Sequence, residues 1–123
     1  MNIKTLIPQH KSDFETVEKL KKYSFEEIEP IIPELLEWLQ DGNWPISKEI
    51  AGFLIQFSEQ ISNELVKILK GDDEIWKYWI LFTFRKSIKN QLYLNEIERI
   101  IQNPTQSEIE NDIFEMVKEI STN

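Results

Sequence analysis

His10 is the only histidine in the chain, and there is no cysteine. A Ser-His-Asp triad or a His-rich zinc site would have to be built around that one position, and thiolate chemistry is ruled out. His10 sits in the N-terminal segment, away from any pocket the sequence implies. Acidic and amide oxygens are plentiful. Asp41-Gly42-Asn43 and Asp72-Asp73-Glu74 carry hard oxygen ligands, yet neither has the alternating spacing that calcium requires. Turn formation and helix capping account for both. There is no P-loop, no G-x-G-x-x-G, no H-E-x-x-H and no EF-hand loop. The expectation is a chain with no catalytic residues, no metal ligands and no cofactor.

Binding chemistry is better represented. Trp38, Trp44 and Trp76 lie beside expected turns, whereas Trp79 falls in the middle of an apolar run and is expected in the core. Tryptophans along one edge of a helical stack either anchor a partner through large area and one polar atom, or staple neighbouring helices together. From Glu96 onward the chain carries Glu96, Glu98, Glu108, Glu110, Asp112, Glu115 and Glu119 against Arg99 and Lys118. Such a surface either keeps the protein soluble or attracts a basic partner. The candidate partner-binding residues are Trp38, Asp41, Trp44, Trp76, Glu108, Glu110, Asp112 and Glu115. Nucleic acid is a poor fit, because a net charge of −8 repels a polyanion and the best basic cluster, Arg85, Lys86 and Lys89, is small.

The elements that must position these residues read as helices. Ser12-x-x-Glu15, Ser24-x-x-Glu27 and Thr105-x-x-Glu108 have capping-box spacing. Phe14, Val17 and Leu20 give a short first helix to about Lys22. Phe25, Ile28, Ile32, Leu35, Leu36 and Leu39 form one apolar stripe, with a kink or restart expected at Pro30 and Pro33. Gly42 is expected to end that helix in the left-handed conformation. Trp44-Pro45 opens a third helix lined by Ile46, Ile50, Phe53, Leu54 and Phe57. A fourth runs from near Ser58 to Gly71, with Ile61, Leu65, Ile68 and Leu69 inside. Asp72 or Asp73 caps a fifth, in which all residues from Ile75 to Phe84 except Lys77 and Thr83 are apolar, so it is expected to be buried on nearly all sides. A sixth spans about Asn90 to Gln102 with Leu94, Ile97, Ile100 and Ile101 inside. The last carries Ile109, Ile113, Met116, Val117 and Ile120, and Ser121-Thr122-Asn123 should fray.

One hundred and twenty-three residues make one domain, spanning 1–123, and 41% hydrophobic content is enough for a core. The absence of cysteine points to a reducing cytoplasm. The N-terminus lacks the long apolar run of a signal peptide, and Ile75 to Phe84 is about half of a membrane span, so no membrane partner is expected. Leu35–Pro45 and Leu65–Trp76 repeat one arrangement: an apolar helix end, a Gly with acidic or amide neighbours, then a Trp. The expected turns at Gly42, Gly71 and Asn103 are 29 (71 − 42) and 32 (103 − 71) residues apart. That period marks stacked helix pairs. The expected fold is all-α: a short right-handed α-solenoid of about three helix pairs, plus an N-terminal capping helix.

The segment Leu39-Gln-Asp-Gly-Asn-Trp44-Pro-Ile46-x-x-x-Ile50-Ala51 resembles a HEAT repeat, in which an Asp and a hydrophobic residue flank the turn. Over most of its length the chain also resembles domain-of-unknown-function family 5071, a set of small bacterial proteins. The resemblance is carried by Leu6-Ile7-Pro8 through Asp13, by Pro30-Ile-Ile-Pro33-Glu-Leu-Leu-Glu-Trp38-Leu-Gln-Asp41-x-Asn43-Trp44-Pro45, and by Asp72-Asp73-Glu74-Ile75-Trp76-Lys77-Tyr78-Trp79. It departs at His10, before Lys11, where a charged residue is expected. The resemblance implies a HEAT-like helical fold and no assigned activity. The function expected from all of this is a non-catalytic protein–protein interaction module, one specific form being an acidic immunity-type neutraliser of a basic partner. The alternatives are an enzyme using groove carboxylates and a nucleic-acid-binding HEAT-like protein. Oligomeric state is left open.

Overall fold

A computed structural model describes residues 2–85 and 87–122, apart from the side chain of Thr122. Met1, Lys86 of the small basic cluster and Asn123 of the expected frayed tail lie outside the described residues. Every regular element among the described residues is helical. The backbone falls into two compact units, residues 1–57 and 58–123.

In the first unit a 3₁₀ turn, Ile3–Leu6, precedes α1 (Phe14–Leu20), α2 (Phe25–Ile28), a second 3₁₀ turn (Glu29–Ile31), α3 (Ile32–Glu37) and α4 (Ser47–Ile55). The helix starts follow local chemistry. Ser24 and Glu27 form the expected capping box, each side chain bonding the other's backbone N–H. At α1 the cap is Asp13 rather than Ser12. Its carboxylate accepts from the Thr16 N–H, and the Gln9 N–H, with help from Thr16 and against partial burial, holds its pKa below the ordinary carboxylate value. Pro30 and Pro33 break the long apolar stripe as expected. The chain passes through a 3₁₀ turn and restarts as α3 with Pro33 in its first turn, where no N–H is needed. Ile28, Ile31, Ile32, Leu35, Leu36 and Leu39 stay buried across the break. Gly42 does not end the helix; α3 stops at Glu37, and no glycine among the described residues has positive φ. Helix α4 starts at Ser47, three residues later than Trp44 suggests.

In the second unit α5 (Ser62–Lys70), α6 (Glu74–Phe84), α7 (Gln91–Gln102), α8 (Gln106–Glu110) and α9 (Ile113–Thr122) pack together, with α5 against α7 and α9 against α6, α7 and α8. Helix α5 starts four residues later than expected from Ser58. Asp73 caps α6 by accepting from the Trp76 N–H, and Asn90 caps α7. The expected single last helix is two. Asn111 and Asp112 interrupt it, and Asp112 adopts φ 65°, a left-handed conformation that Asp tolerates better than most side chains. Ile109 is accordingly exposed rather than inside, and Leu94 is likewise exposed on α7. Ser121 continues α9 instead of fraying.

Helix α6 departs most from expectation. It is not buried all round. Its inner face is Glu74, Lys77, Ile80, Leu81 and Phe84, while Ile75 is 61% exposed and Phe82 is exposed. Trp79 is half-buried, packed edge-on between Tyr78 and Phe82 at centroid distances of 5.3 and 5.6 Å. A lysine and a glutamate therefore occupy positions that hydrophobicity assigns to aromatics. The reason lies in their partners.

Candidate functional site

Trp38 and Trp44 are brought together by a short turn. The Asp41 carboxylate accepts from the Asn43 N–H at 2.9 Å, and the Asp41 carbonyl accepts from the Trp44 N–H at 3.1 Å. This Asx-type closure folds the chain back after α3. It sets the two indoles edge to face, 5.5 Å apart with planes at 71°. Of the predicted partner-binding residues, Asp41 thus builds the turn that presents the two tryptophans.

Sequence reasoning missed what completes this site. Glu34, Glu37 and Trp38 are spaced i, i+3 and i+4 across the end of α3, so their side chains share one face. Ile32, Leu35 and Leu36 hold the opposite face in the core. Pro8 and Ile7, following the first 3₁₀ turn, supply an apolar wall. Together with Gln40 these residues line a cavity of about 280 Å³. Glu34 Oε2 is buried and has no hydrogen-bond partner among the described residues. Neither Glu34 nor Glu37 forms an ion pair among the described residues. Two carboxylates one turn apart repel each other, and burying one oxygen without a partner adds a desolvation cost. The i, i+3, i+4 spacing was the signal available in the sequence. A larger cavity of about 470 Å³ in the same unit differs in kind. Its Lys21 already bridges Glu18 at 2.8 Å and Glu49 at 3.2 Å.

Trp76 belongs to the other unit, in the first turn of α6, and is half-buried. Glu110, Asp112 and Glu115 are exposed as expected. Glu115 pairs with Lys118 at 3.3 Å, and Glu110 accepts from Gln106 Nε2 at 3.2 Å. Glu108 is the correction: it is 0% exposed and is no partner-contact residue. It closes the expected capping box with Thr105, but its carboxylate points inward. There Arg99 Nη1 and Nη2 donate to its two oxygens, both at 2.7 Å, and Lys77 Nζ donates at 3.1 Å. Lys77 also pairs with Glu74 at 2.7 Å, and Arg99 with Glu96 at 3.4 Å. Burial pushes the Glu108 carboxyl up. The bonds from Arg99, the Thr105 N–H and Lys77 outweigh it and hold the pKa at about 2. Its bonds to Glu108, with Glu96 adding to them and burial opposing, raise Arg99. Each charge in this cluster has an opposite neighbour, so it holds α6, α7 and α8 together, although Glu74 Oε2, like Glu34 Oε2 in the first unit, is buried with no hydrogen-bond partner among the described residues.

The described residues contain no group of three or more His, Cys, Asp or Glu arranged to hold a metal ion. No helix among them is long and apolar enough to cross a membrane. The chain matches the family model described as Domain of unknown function (DUF5071) over residues 6–121, and it belongs to that family. No curated protein matches it.

Proposed function

We propose that this member of a family of unknown function is a non-catalytic protein-interaction module that captures a basic protein partner. The observation that carries the reading is the pair of carboxylates Glu34 and Glu37. They stand beside two indoles with no cation paired to either among the described residues. A net charge of −8, with Glu110 and Asp112 exposed on the second unit, adds long-range attraction for a basic protein. An acidic immunity-type neutraliser is the specific form of the reading. It keeps the HEAT-like stacking of helix pairs and the cytoplasmic setting expected from the sequence.

The test is capture from a native-host extract by the immobilised full chain, followed by binding measurements on the captured protein. The expected partner is basic, and its affinity falls steeply between about 50 and about 300 mM salt as the charges are screened. Reversing Glu110 and Glu115 to Lys slows association and leaves folding intact. Reversing Arg85, Lys86 and Lys89 has little effect on the same partner. A captured partner whose affinity ignores both salt and the acidic reversals overturns the reading. Binding of nucleic acid that is lost on removing the three basic residues overturns it in favour of the nucleic-acid alternative.

A further inference from the structure

We infer that the cavity walled by Trp38 and Trp44 is a receptor for one arginine side chain, with Glu34 and Glu37 receiving the guanidinium. The inference deepens the reading of the chain as a capture module for a basic partner and rests on it for the source of the arginine.

Three features of the cavity specify this group. First, the two indole planes meet at 71° and so form a corner rather than a sandwich. A planar cation laid against one indole face has its edge toward the other, and Trp offers the strongest cation–π attraction of the aromatic side chains. Second, the acceptors are carboxylates on one helical face, and Glu34 Oε2 is buried with no donor among the described residues. A guanidinium carries five N–H donors in a flat fork. It can bond a carboxylate while stacked on a ring; a lysine ammonium meets the same site as a point charge with three donors. Third, Pro8 and Ile7 give an apolar wall along which three methylenes can lie.

The second unit shows how this chain treats buried carboxylates when it has a cation of its own. Glu108 is gripped by Arg99 through two parallel bonds of 2.7 Å and by Lys77. Glu34 is half-buried, and its buried Oε2 has no such grip among the described residues. The cation it lacks is supplied from outside.

The four tryptophans provide the readout, because two lie at the site and two lie in the other unit. The probe is N-acetyl-arginine-methylamide, titrated into the full chain while the four indole Nε1–H signals are followed by NMR. The expected result is saturable shifts of the Trp38 and Trp44 signals with millimolar affinity, and no movement of Trp76 and Trp79. The citrulline analogue, which has the same shape without the charge, shifts nothing. The lysine analogue binds about three-fold more weakly or worse. Glu34→Gln weakens arginine about ten-fold, since the neutral amide no longer gives a charge-assisted bond. Trp44→Phe keeps a ring in place should Trp44→Ala fail to fold, and it weakens binding several-fold. Equal shifts at all four tryptophans, shifts with citrulline equal to those with arginine, or a stronger response to lysine each overturn the inference. A captured basic protein with steep salt dependence that is indifferent to Glu34→Gln overturns the arginine receptor and leaves the interaction reading standing. Arginine-specific shifts in a chain whose partner ignores salt do the reverse.

Discussion

Arg99 and Glu108 meet fork to fork, Nη1 on Oε1 and Nη2 on Oε2, each at 2.7 Å, inside a unit where Glu108 is wholly shielded from solvent. The pair joins α7 to α8, and Lys77 ties α8 to α6 through Glu108. Removing Glu108 leaves the buried Lys77 with Glu74 alone and Arg99 with Glu96 alone. Glu108→Gln is expected to destabilise the chain by about 3–5 kcal/mol in urea unfolding, the range for breaking a buried pair. Glu110→Gln, two residues away but exposed, should stay within about 0.5 kcal/mol. Equal effects for the two variants would place Glu108 outside the core.

The same carboxylate sets an acid limit. Its folded pKa is about 2, below the ordinary value of 4.5. The folded state therefore binds this proton less readily than the unfolded state. The stabilisation is fully present above about pH 4.5 and is lost as pH falls toward about 2, amounting to about 3 kcal/mol on the scale of 1.36 kcal/mol per unit. Urea midpoints measured between pH 2 and pH 7 should show this loss in the native chain. In Glu108→Gln the corresponding part of the slope should vanish.

Asp73 and Asp72 are neighbours with different duties. Asp73 accepts from the Trp76 N–H, and Asp72 is exposed ahead of the cap. Asp73→Ala should cost about 0.5–2 kcal/mol and Asp73→Asn only a few tenths, because Asn caps nearly as well. Asp72→Ala should be close to silent in the same thermal unfolding assay. A larger cost at Asp72 than at Asp73 would contradict the cap.

Two aromatics on α6 should separate by face. Phe84 is 0% exposed, so Phe84→Ala should cost about 3–5 kcal/mol. Trp79 is half-buried between Tyr78 and Phe82, so Trp79→Ala should cost about half of that despite the larger side chain. Denaturant titration of both variants checks the ordering.

Local chemistry was readable and long-range pairing was not. The capping boxes at Ser24 and Thr105, the Asp73 cap and the restart after Pro30 depend on residues within four positions of one another, and spacing reveals them. The orientation of α6 depends on Lys77 meeting Glu108, 31 residues away. A count of apolar residues cannot show that a lysine turns inward, because the compensating carboxylate is on another element. For the same reason Glu108 read as part of an acidic surface: its cap partner Thr105 was visible, whereas Arg99 and Lys77 were not. The cavity in the first unit was half legible. Trp38, Asp41 and Trp44 stand out by type. Glu34 and Glu37 look like ordinary solvated charges until the helix face they share with Trp38 is known.

The placement of Lys77 gives the second unit an internal clock. Amine-reactive reagents attack a neutral, accessible amine. The Lys77 Nζ is bonded to Glu74 and Glu108 and is the one buried amine among the described lysines. Surface lysines should be labelled in the folded chain, whereas Lys77 must wait until α6 parts from α8. Its labelling rate, read by mass spectrometry of the peptide that contains it, therefore times the opening of that part of the fold.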